Sequence, residues 1–367
     1  MPLVRDELLR LYRLLRLTRT IEDRTRALYY ERRIVGGVYT GTGMEGTTVG
    51  AAHALRPGDV LVPLHRDLGA HLVSGMTARE VFCQWLGRGN APALGRDGQL
   101  HMGDMRRRMI VPTTSVIGAS LPVAVGCALA AKLRGEGRVT LAFIGEGGTS
   151  TGDFPEALNL AAAVWVPFVC VVENNGYAYS TPAAKQARLT SFAQRAAAYG
   201  IPSASVDGND VIVVHEAVEA AAERARAGGG PSLIEARTFR MRGHSEADNA
   251  AYVPEPLLAE WAERDPIRRF DQYLVRLTFL TDVERTAIEA SIHAEVEEAV
   301  AFALASLAPE ASTLAQHVFV DDGSGRIKPP RMPETPAAGP LGADHYPARD
   351  AAPARAVAPV QEVARPS

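Results

Sequence analysis

Two short apolar runs joined by a predicted helix constrain the fold of this chain more than any other stretch. Residues 139–144 are apolar apart from one threonine and stop at a glycine, which is typical of a strand buried on both faces. Asp153 is the expected N-cap of a helix over residues 154–164, which are rich in Ala and Leu. Pro167 ends that helix, and residues 168–172 form a second apolar run. This β-α-β unit predicts two parallel strands with ligands bound at their carboxyl ends.

Strand and helix signals alternate along most of the remaining chain. They predict an α/β fold with a largely parallel sheet flanked by helices. Thr77 is the expected cap of one of these helices, and residues 87–114 lack apolar periodicity, so we expect a functional loop there. Further strands are expected over residues 58–63 and 232–238, and further helices over residues 5–33, 47–55, 77–87, 121–133, 191–199 and 215–227.

The C-terminal part of the chain changes character twice. Residues 256–307 are expected to be a mostly helical segment, which would complete one domain over residues 1–320. Beyond it, prolines and alanines dominate and large apolar side chains are scarce. Such a composition cannot bury enough apolar surface to fold, so residues 321–367 are predicted to be a disordered tail.

Charge and cysteine content exclude several classes of function. The formal net charge of -3 does not favour nucleic acid or an anionic membrane surface as the main partner. The amino terminus lacks the apolar centre of a secretory signal, and no apolar run is long enough to span a bilayer. The cysteines are three, widely spaced and without a C-x-x-C motif, so we expect reduced thiols and a cytoplasmic location.

Polar residues and glycines follow both strands of the central unit. The first strand is followed by Gly145-Glu146-Gly147-Gly148, and the second by Glu173-Asn174-Asn175-Gly176-Tyr177. Glycines allow a close approach of backbone to ligand, and N–H groups leading into a helix suit a phosphate. A carboxylate, an amide oxygen and a main-chain carbonyl are ligands that Mg²⁺ accepts together with diphosphate oxygens. Glu146, Asn175 and Tyr177 are therefore the predicted metal ligands.

This arrangement resembles the thiamine diphosphate motif, in which G-D/E-G is followed after roughly thirty residues by N-N. More narrowly, the chain from about residue 12 to residue 319 resembles the alpha subunit of the decarboxylating (first) component of 2-oxo acid dehydrogenase complexes. The resemblance implies the thiamine-diphosphate-binding fold, with thiamine diphosphate and Mg²⁺ as cofactors. It also implies oxidative decarboxylation of a branched-chain 2-oxo acid or pyruvate, with transfer of the acyl group to a lipoyl group.

The resemblance also implies partners and roles for individual residues. A beta subunit would complete an α2β2 heterotetramer and supply the glutamate that activates the aminopyrimidine, and a lipoylated acyltransferase would receive the acyl group. His244 would point at the reacting thiazolium carbon, and mitochondrial relatives are phosphorylated at the serine matching Ser245, where added charge would repel a diphosphate. The cofactor-binding residues carried over are His65, Arg66, Ser115, Ile117, Glu146, Gly147, Gly148, Asn175, Tyr177 and His244.

The motifs leave the substrate and two further readings open. Residues 43–47 and 174–178 look branched-chain-like, whereas residues 100–102 and 116–119 look pyruvate- or acetoin-like. The chain is therefore also compatible with the alpha subunit of an acetoin dehydrogenase. A non-catalytic paralogue that binds a beta-like partner is a further alternative, and so is a stand-alone thiamine enzyme.

Overall fold

The chain is built around one parallel sheet. The computed structural model describes residues 3–98, 101–105, 109–314 and 316. In chain order the strands are β1 Val60–Val62, β2 Thr140–Gly145, β3 Phe168–Asn174, β4 Tyr177–Ala178, β5 Thr181–Pro182, β6 Ser203–Asp207 and β7 Ser232–Arg237. The main sheet has the order β1-β2-β3-β7-β6 and all of its neighbours pair in parallel, whereas β4 and β5 form a separate antiparallel hairpin. The predicted α/β fold with a largely parallel sheet is confirmed.

Helices cover both faces of the sheet. In chain order they are α1 Arg5–Tyr30, α2 Glu45–His53, α3 Leu68–Val73, α4 Ala78–Trp85, α5 Ser120–Arg134, α6 Asp153–Ala163, α7 Ala183–Gln186, α8 Val211–Arg224, α9 Glu255–Ala262, α10 Pro266–Arg276 and α11 Asp282–Ala305. Short 3₁₀ helices span Glu146–Ser150, Phe192–Tyr199 and Ala311–Thr313. No helix among the described residues has both the length and the apolar character needed to cross a bilayer.

Side chains alternate between the two faces along each central strand. Leu141, Phe143 and Val171 pack into the core that contains α1, α2, α8 and α11. Ala142 and Ile144, their neighbours in the chain, pack into a second core with α5 and α6. Because both faces are covered, the strands are almost wholly apolar, as the sequence pattern requires. The polar residues that do follow these strands are thereby placed at one edge of the sheet.

The central β-α-β unit has the predicted topology, with one correction at its helix. β2 and β3 pair from Thr140↔Phe168 to Gly145↔Glu173, so both strands end together. The prediction that Asp153 caps the helix is wrong, because Gly152 occupies the N-cap and Asp153 is the first helical residue. Its carboxylate can still act favourably on the helix dipole from the first turn.

Other predicted elements were placed less accurately. The cap at Thr77 is confirmed, since its hydroxyl accepts a hydrogen bond from the N–H of Glu80. The helix predicted over 191–199 is a 3₁₀ helix, and the helix predicted from residue 215 begins at Val211, where the side chain of Asp210 caps it. The C-terminal helical segment is present as α9 to α11, and the described residues of 87–114 form turns and isolated bridges. The predicted tail over 321–367 lies outside the described residues.

Candidate active site

A cavity of about 440 Å³ opens at the carboxyl ends of β2 and β3. Its walls come from the 3₁₀ helix after β2, the β4–β5 hairpin, the segment after β1 and the loop after β7. All of the predicted site residues except Ser115 line it: His65, Arg66, Ile117, Glu146, Gly147, Gly148, Asn175, Tyr177 and His244. The parallel sheet brings together residues that are up to 180 positions apart in the chain, at the edge where ligands bind in such folds.

Glu146 is the buried carboxylate of this cavity. It follows β2 directly, is 1% exposed, and accepts hydrogen bonds from the N–H of Asn175 at 3.4 Å and from Nε2 of Gln186 at 3.1 Å. Burial raises the pKa of Glu146 above its ordinary value, and these hydrogen bonds act in the opposite direction. A cation bound beside a buried carboxylate stabilises its charged form.

The two glycines after Glu146 line the cavity and also pack closely against neighbouring residues of the chain. A Cβ on Gly147 would lie 2.4 Å from Cβ of Ala178, and one on Gly148 would lie 2.8 Å from Cγ1 of Ile144. Both contacts are shorter than a side chain tolerates, so the 3₁₀ helix can only approach β4 and β2 this closely with glycine at these positions. The close approach holds Glu146 against the neighbouring hairpin.

Asn175 and Tyr177 face Glu146 from the end of β3. Oδ1 of Asn175 accepts the N–H of Tyr177 at 3.2 Å, which fixes the side chain in a local turn. Gly176 between them has φ +87°, a conformation that favours glycine. The carbonyl oxygen of Tyr177 accepts a weak hydrogen bond from Nη1 of Arg240 at 3.4 Å. No group of three or more His, Cys, Asp or Glu side chains suited to a metal occurs in the described residues, and the predicted ligand set needs only one carboxylate.

Two buried arginines give the cavity its positive charge. Arg66 donates to the carbonyl of Thr40 at 2.9 Å and to the carbonyl of His244 at 2.5 Å. Arg240 donates to the carbonyl of Tyr179 at 2.7 Å and to the hydroxyl of Tyr252 at 2.8 Å. Burial lowers the pKa of Arg66 to about 10, and the charge of Arg240 acts in the same direction. Two neighbouring cations held by neutral acceptors favour an anionic ligand.

Two histidines near these arginines are held neutral. Burial lowers the pKa of His244 to about 4, assisted by the charges of Arg66 and Arg240. Burial also lowers the pKa of His65 to about 3, and electrostatic interactions with Arg66 and His244 lower it further. Nδ1 of His244 lies 3.4 Å from Nη2 of Arg66, which can only donate. The neutral ring therefore carries its proton on Nε2, where it can donate a hydrogen bond to a reacting group.

Ser115 differs from the other predicted residues. Its hydroxyl lies 2.6 Å from Nε2 of His101, and Nδ1 of that ring lies 3.2 Å from Oδ1 of Asp97. The side chain of Ser115 is therefore linked through His101 to Asp97. Ile117, two residues later, lines the cavity and is 50% exposed. Any contact of Ser115 with a cofactor would thus involve its backbone.

The geometry agrees with comparisons to known proteins. Residues 12–312 match the profile of the family described as Dehydrogenase E1 component. The chain is 35% identical to the alpha subunit of acetoin:2,6-dichlorophenolindophenol oxidoreductase from Cupriavidus necator, covering 87% of this chain and 96% of that one. It is 36% identical to the alpha subunit of the pyruvate dehydrogenase E1 component from Acholeplasma laidlawii, covering 81% and 83%. It is 39% identical to the alpha subunit of 3-methyl-2-oxobutanoate dehydrogenase from Mycobacterium tuberculosis, covering 73% and 71%.

The chain belongs to the dehydrogenase E1 component family. The family predicted from the glycine, glutamate and asparagine motifs is therefore confirmed, and with it the assignment to the oxidoreductases of 2-oxo acid dehydrogenase type. Members of the dehydrogenase E1 component family depend on thiamine diphosphate. The named relatives act on three different substrates at similar identity, so the comparisons leave the substrate of this chain open.

Three residues of this E1 site were not identified from the sequence: Glu173, Tyr179 and Arg240. Glu173 is the penultimate residue of β3, lines the cavity and is 1% exposed. Burial raises its pKa well above the ordinary value, and the charge of Asp67 adds to that effect. The sequence feature that could have identified Glu173 is a glutamate directly after an apolar run, because charged residues are rarely buried in a strand without a functional reason.

Proposed function

We propose that this chain is the alpha subunit of a 2-oxo acid dehydrogenase first component and binds thiamine diphosphate with Mg²⁺ in the cavity at the ends of β2 and β3. The observation that carries the proposal is the presence, in one cavity, of the buried side chains of Arg66, Arg240 and Glu146. The arginines suit the oxygens of a diphosphate, and Glu146 suits the divalent cation that accompanies it.

The residues present fit such a group. Glu146, Oδ1 of Asn175 and the carbonyl oxygen of Tyr177 would hold Mg²⁺, and Arg66 would bind the diphosphate. Arg240 would add positive charge behind the hairpin. Apolar atoms of Ile117 and backbone groups near Ser115 would contact the aminopyrimidine. The oxygen set matches what Mg²⁺ prefers, because it combines one carboxylate with neutral oxygens and leaves positions for phosphate oxygens and water.

When bound, thiamine diphosphate supplies the carbanion and the electron sink for decarboxylation. In the overall reaction the bond between the carboxylate and the keto carbon breaks, the keto carbon is oxidised to an acyl group, and a lipoyl disulfide is reduced. The chain's own contribution is to bind and orient the reacting groups and to donate a hydrogen bond to them. The N–H at Nε2 of neutral His244 would donate that hydrogen bond close to the reacting carbon, and Arg66 would keep the ring in this tautomer.

The named relatives are alpha subunits, which supports a beta subunit as the partner of this chain in an α2β2 heterotetramer. The exposed rim of the cavity supports the same proposal, since Val116, Ile117 and Tyr179 are 65%, 50% and 58% exposed. The beta subunit would cover that rim and contribute the glutamate that activates the aminopyrimidine. A lipoylated acyltransferase would receive the acyl group, and a cytoplasmic location remains a prediction.

An acetoin dehydrogenase alpha subunit is the second candidate, because two similar relatives carry that activity in their names. Acetoin is cleaved at the bond between its keto and carbinol carbons, so the same site would serve. A non-catalytic paralogue would retain the fold but not the buried charges, and Glu146, Arg66 and His244 all line the cavity here.

The test is turnover by this chain alone and after co-expression with a beta subunit of the same family, with thiamine diphosphate, Mg²⁺ and a dye acceptor. The substrates are pyruvate, 3-methyl-2-oxobutanoate and acetoin. We expect turnover only when both subunits and both cofactors are present. Turnover by the isolated chain would overturn the two-subunit proposal. No turnover by an assembled complex shown to contain thiamine diphosphate would favour the non-catalytic paralogue.

A further inference from the structure

Tyr179 occupies a position where a tyrosine is conformationally costly. It is the first of the two residues that connect β4 to β5, and its φ is +51°. Two-residue hairpins with positive φ at this position normally use Gly, Asn or Asp. The left-handed region is unfavourable for a bulky residue, because its Cβ lies too close to the backbone. Strain of this kind persists where surrounding contacts impose it, and it is concentrated at functional sites.

The surrounding contacts hold the backbone of this turn in place. Arg240, which is 3% exposed, donates to the carbonyl of Tyr179 at 2.7 Å and to the carbonyl of Tyr177 at 3.4 Å. Ala178 packs against Gly147 so closely that no other residue fits at that glycine. The direction of the Tyr179 side chain is therefore set by a buried guanidinium and by the wall of the cavity.

That side chain is directed to His244. The centroids of the two rings are 4.3 Å apart and their planes are inclined by 45°. The ring of Tyr39 also packs edge-on with the imidazole of His244, with centroids 5.4 Å apart. Carbon atoms in contact are about 3.5–4.0 Å apart, so no aliphatic group can be inserted between Tyr179 and His244. The space next to His244 is thus bounded by two aromatic rings.

We propose that Tyr179 limits the substituent on the keto carbon of the donor to a methyl group, so that the site takes methyl ketones such as pyruvate or acetoin in preference to branched 2-oxo acids. The inference rests on the proposed function, in which His244 lies beside the reacting carbon. The substituent of the donor then lies next to Tyr179. A methyl group fits beside the ring, whereas the isopropyl group of 3-methyl-2-oxobutanoate adds two carbons that meet it.

The experiment uses the assembled complex with its beta subunit and compares wild type, Tyr179→Ala and Tyr179→Phe. The measured quantity is kcat/KM for pyruvate, acetoin and 3-methyl-2-oxobutanoate. Carbon dioxide is released from pyruvate but not from acetoin, so its release shows which of the two methyl ketones is the donor. We expect wild type to prefer a methyl ketone. Tyr179→Ala should raise kcat/KM for 3-methyl-2-oxobutanoate relative to the methyl ketone by roughly 10- to 200-fold, the range for one or two methylenes in a pocket. Tyr179→Phe keeps the ring and should leave the ratio unchanged.

A matched control is Val283→Ala, since Val283 is 80% exposed on α11 and does not line the cavity. It should leave all rates and ratios unchanged. If Tyr179→Ala has no turnover, binding of two substrate analogues replaces the kinetic measurement. The affinity for isobutyrylphosphonate relative to acetylphosphonate, measured for wild type and for the variant, then reports the preference for the branched substituent. A wild-type preference for 3-methyl-2-oxobutanoate, or the same ratio in wild type and Tyr179→Ala, would overturn the inference. A loaded wild-type complex without turnover on any donor would instead contradict the proposed function.

Discussion

The cavity has two walls of opposite character. The inner wall consists of Arg66, Glu146, Glu173 and Asn175, which are between 1% and 7% exposed and are fixed at strand ends. The outer rim consists of Val116, Ile117 and Tyr179, which are at least half exposed and lie in loops. The inner wall is complete within this chain and is preorganised for charge. The outer rim is apolar and open, as expected of a surface that a second subunit completes.

The largest effect is expected from removing the charge of the inner wall. Glu146→Gln keeps the size of the side chain but replaces the carboxylate that we assign to Mg²⁺. Loss of a direct ligand should exceed the roughly 10- to 100-fold cost of changing a residue behind the ligands. Activity at limiting Mg²⁺ should fall more than about 100-fold. Glu260→Gln is the control, because that side chain is 62% exposed on α9. Equal activity of both variants would contradict the assignment.

A second effect concerns a histidine behind the inner wall. His71 on α3 is fully buried, and neither ring nitrogen has a hydrogen-bond partner among the described residues. Burial lowers its pKa to about 4. The unfolded chain binds the proton first, near pH 6.5, so stability is present above that pH and is lost as pH falls towards 4. At pH 5 this loss amounts to about 2 kcal/mol.

His71→Leu should remove most of that loss, and urea unfolding of the subunit at pH 7.5 and pH 5 measures it. The matched control is His293→Leu, since His293 is exposed on α11. Its unfolding should show the pH dependence of wild type. If His71→Leu also shows the full wild-type loss of stability at pH 5, the buried neutral histidine is not its origin.

The smallest effect is expected at Ser115, which precedes the outer rim in the chain and does not line the cavity. Ser115→Ala removes the hydrogen bond to His101, which is worth about 1 kcal/mol, or roughly fivefold in an equilibrium constant. We expect the affinity for thiamine diphosphate to fall by no more than this factor, and the free energy of unfolding to fall by no more than about 1 kcal/mol. Ser312→Ala, near the end of the described residues, provides the control. A loss as large as that of Glu146→Gln would show that the outer rim is part of the charged site.

Part of the inner wall was predictable from sequence patterns, although Glu173 was missed, and Ile117 of the outer rim was identified only through the resemblance. Glu146 and Asn175 directly follow apolar strands, and parallel strands end at the same edge of a sheet, so their proximity follows from topology. Ser115, Tyr179 and Arg240 lie in loops, where the direction of a side chain depends on contacts that are distant in sequence. The resemblance carried Ser115 over as a cofactor-binding residue through backbone groups of its segment, and the contact of its hydroxyl with His101 could not be derived from the sequence.

The fold shows the same difference between strong and weak patterns. β2, α6 and β3 have clear apolar periodicity and lie where it predicts them. β6 was missed because its sequence, SASVD, is polar and it lies at the edge of the sheet. The start of α8 was missed because residues 211–214 are β-branched and resemble a strand, although Asp210 caps a helix there.

Anomalous diffraction from the assembled complex with thiamine diphosphate and Mn²⁺ in place of Mg²⁺ tests the central proposal most directly. We predict one metal peak per alpha subunit within about 2–2.3 Å of a carboxylate oxygen of Glu146, Oδ1 of Asn175 and the carbonyl oxygen of Tyr177. The diphosphate should lie against Arg66. A peak bound to other residues, or thiamine diphosphate bound outside the cavity at the ends of β2 and β3, would contradict the account.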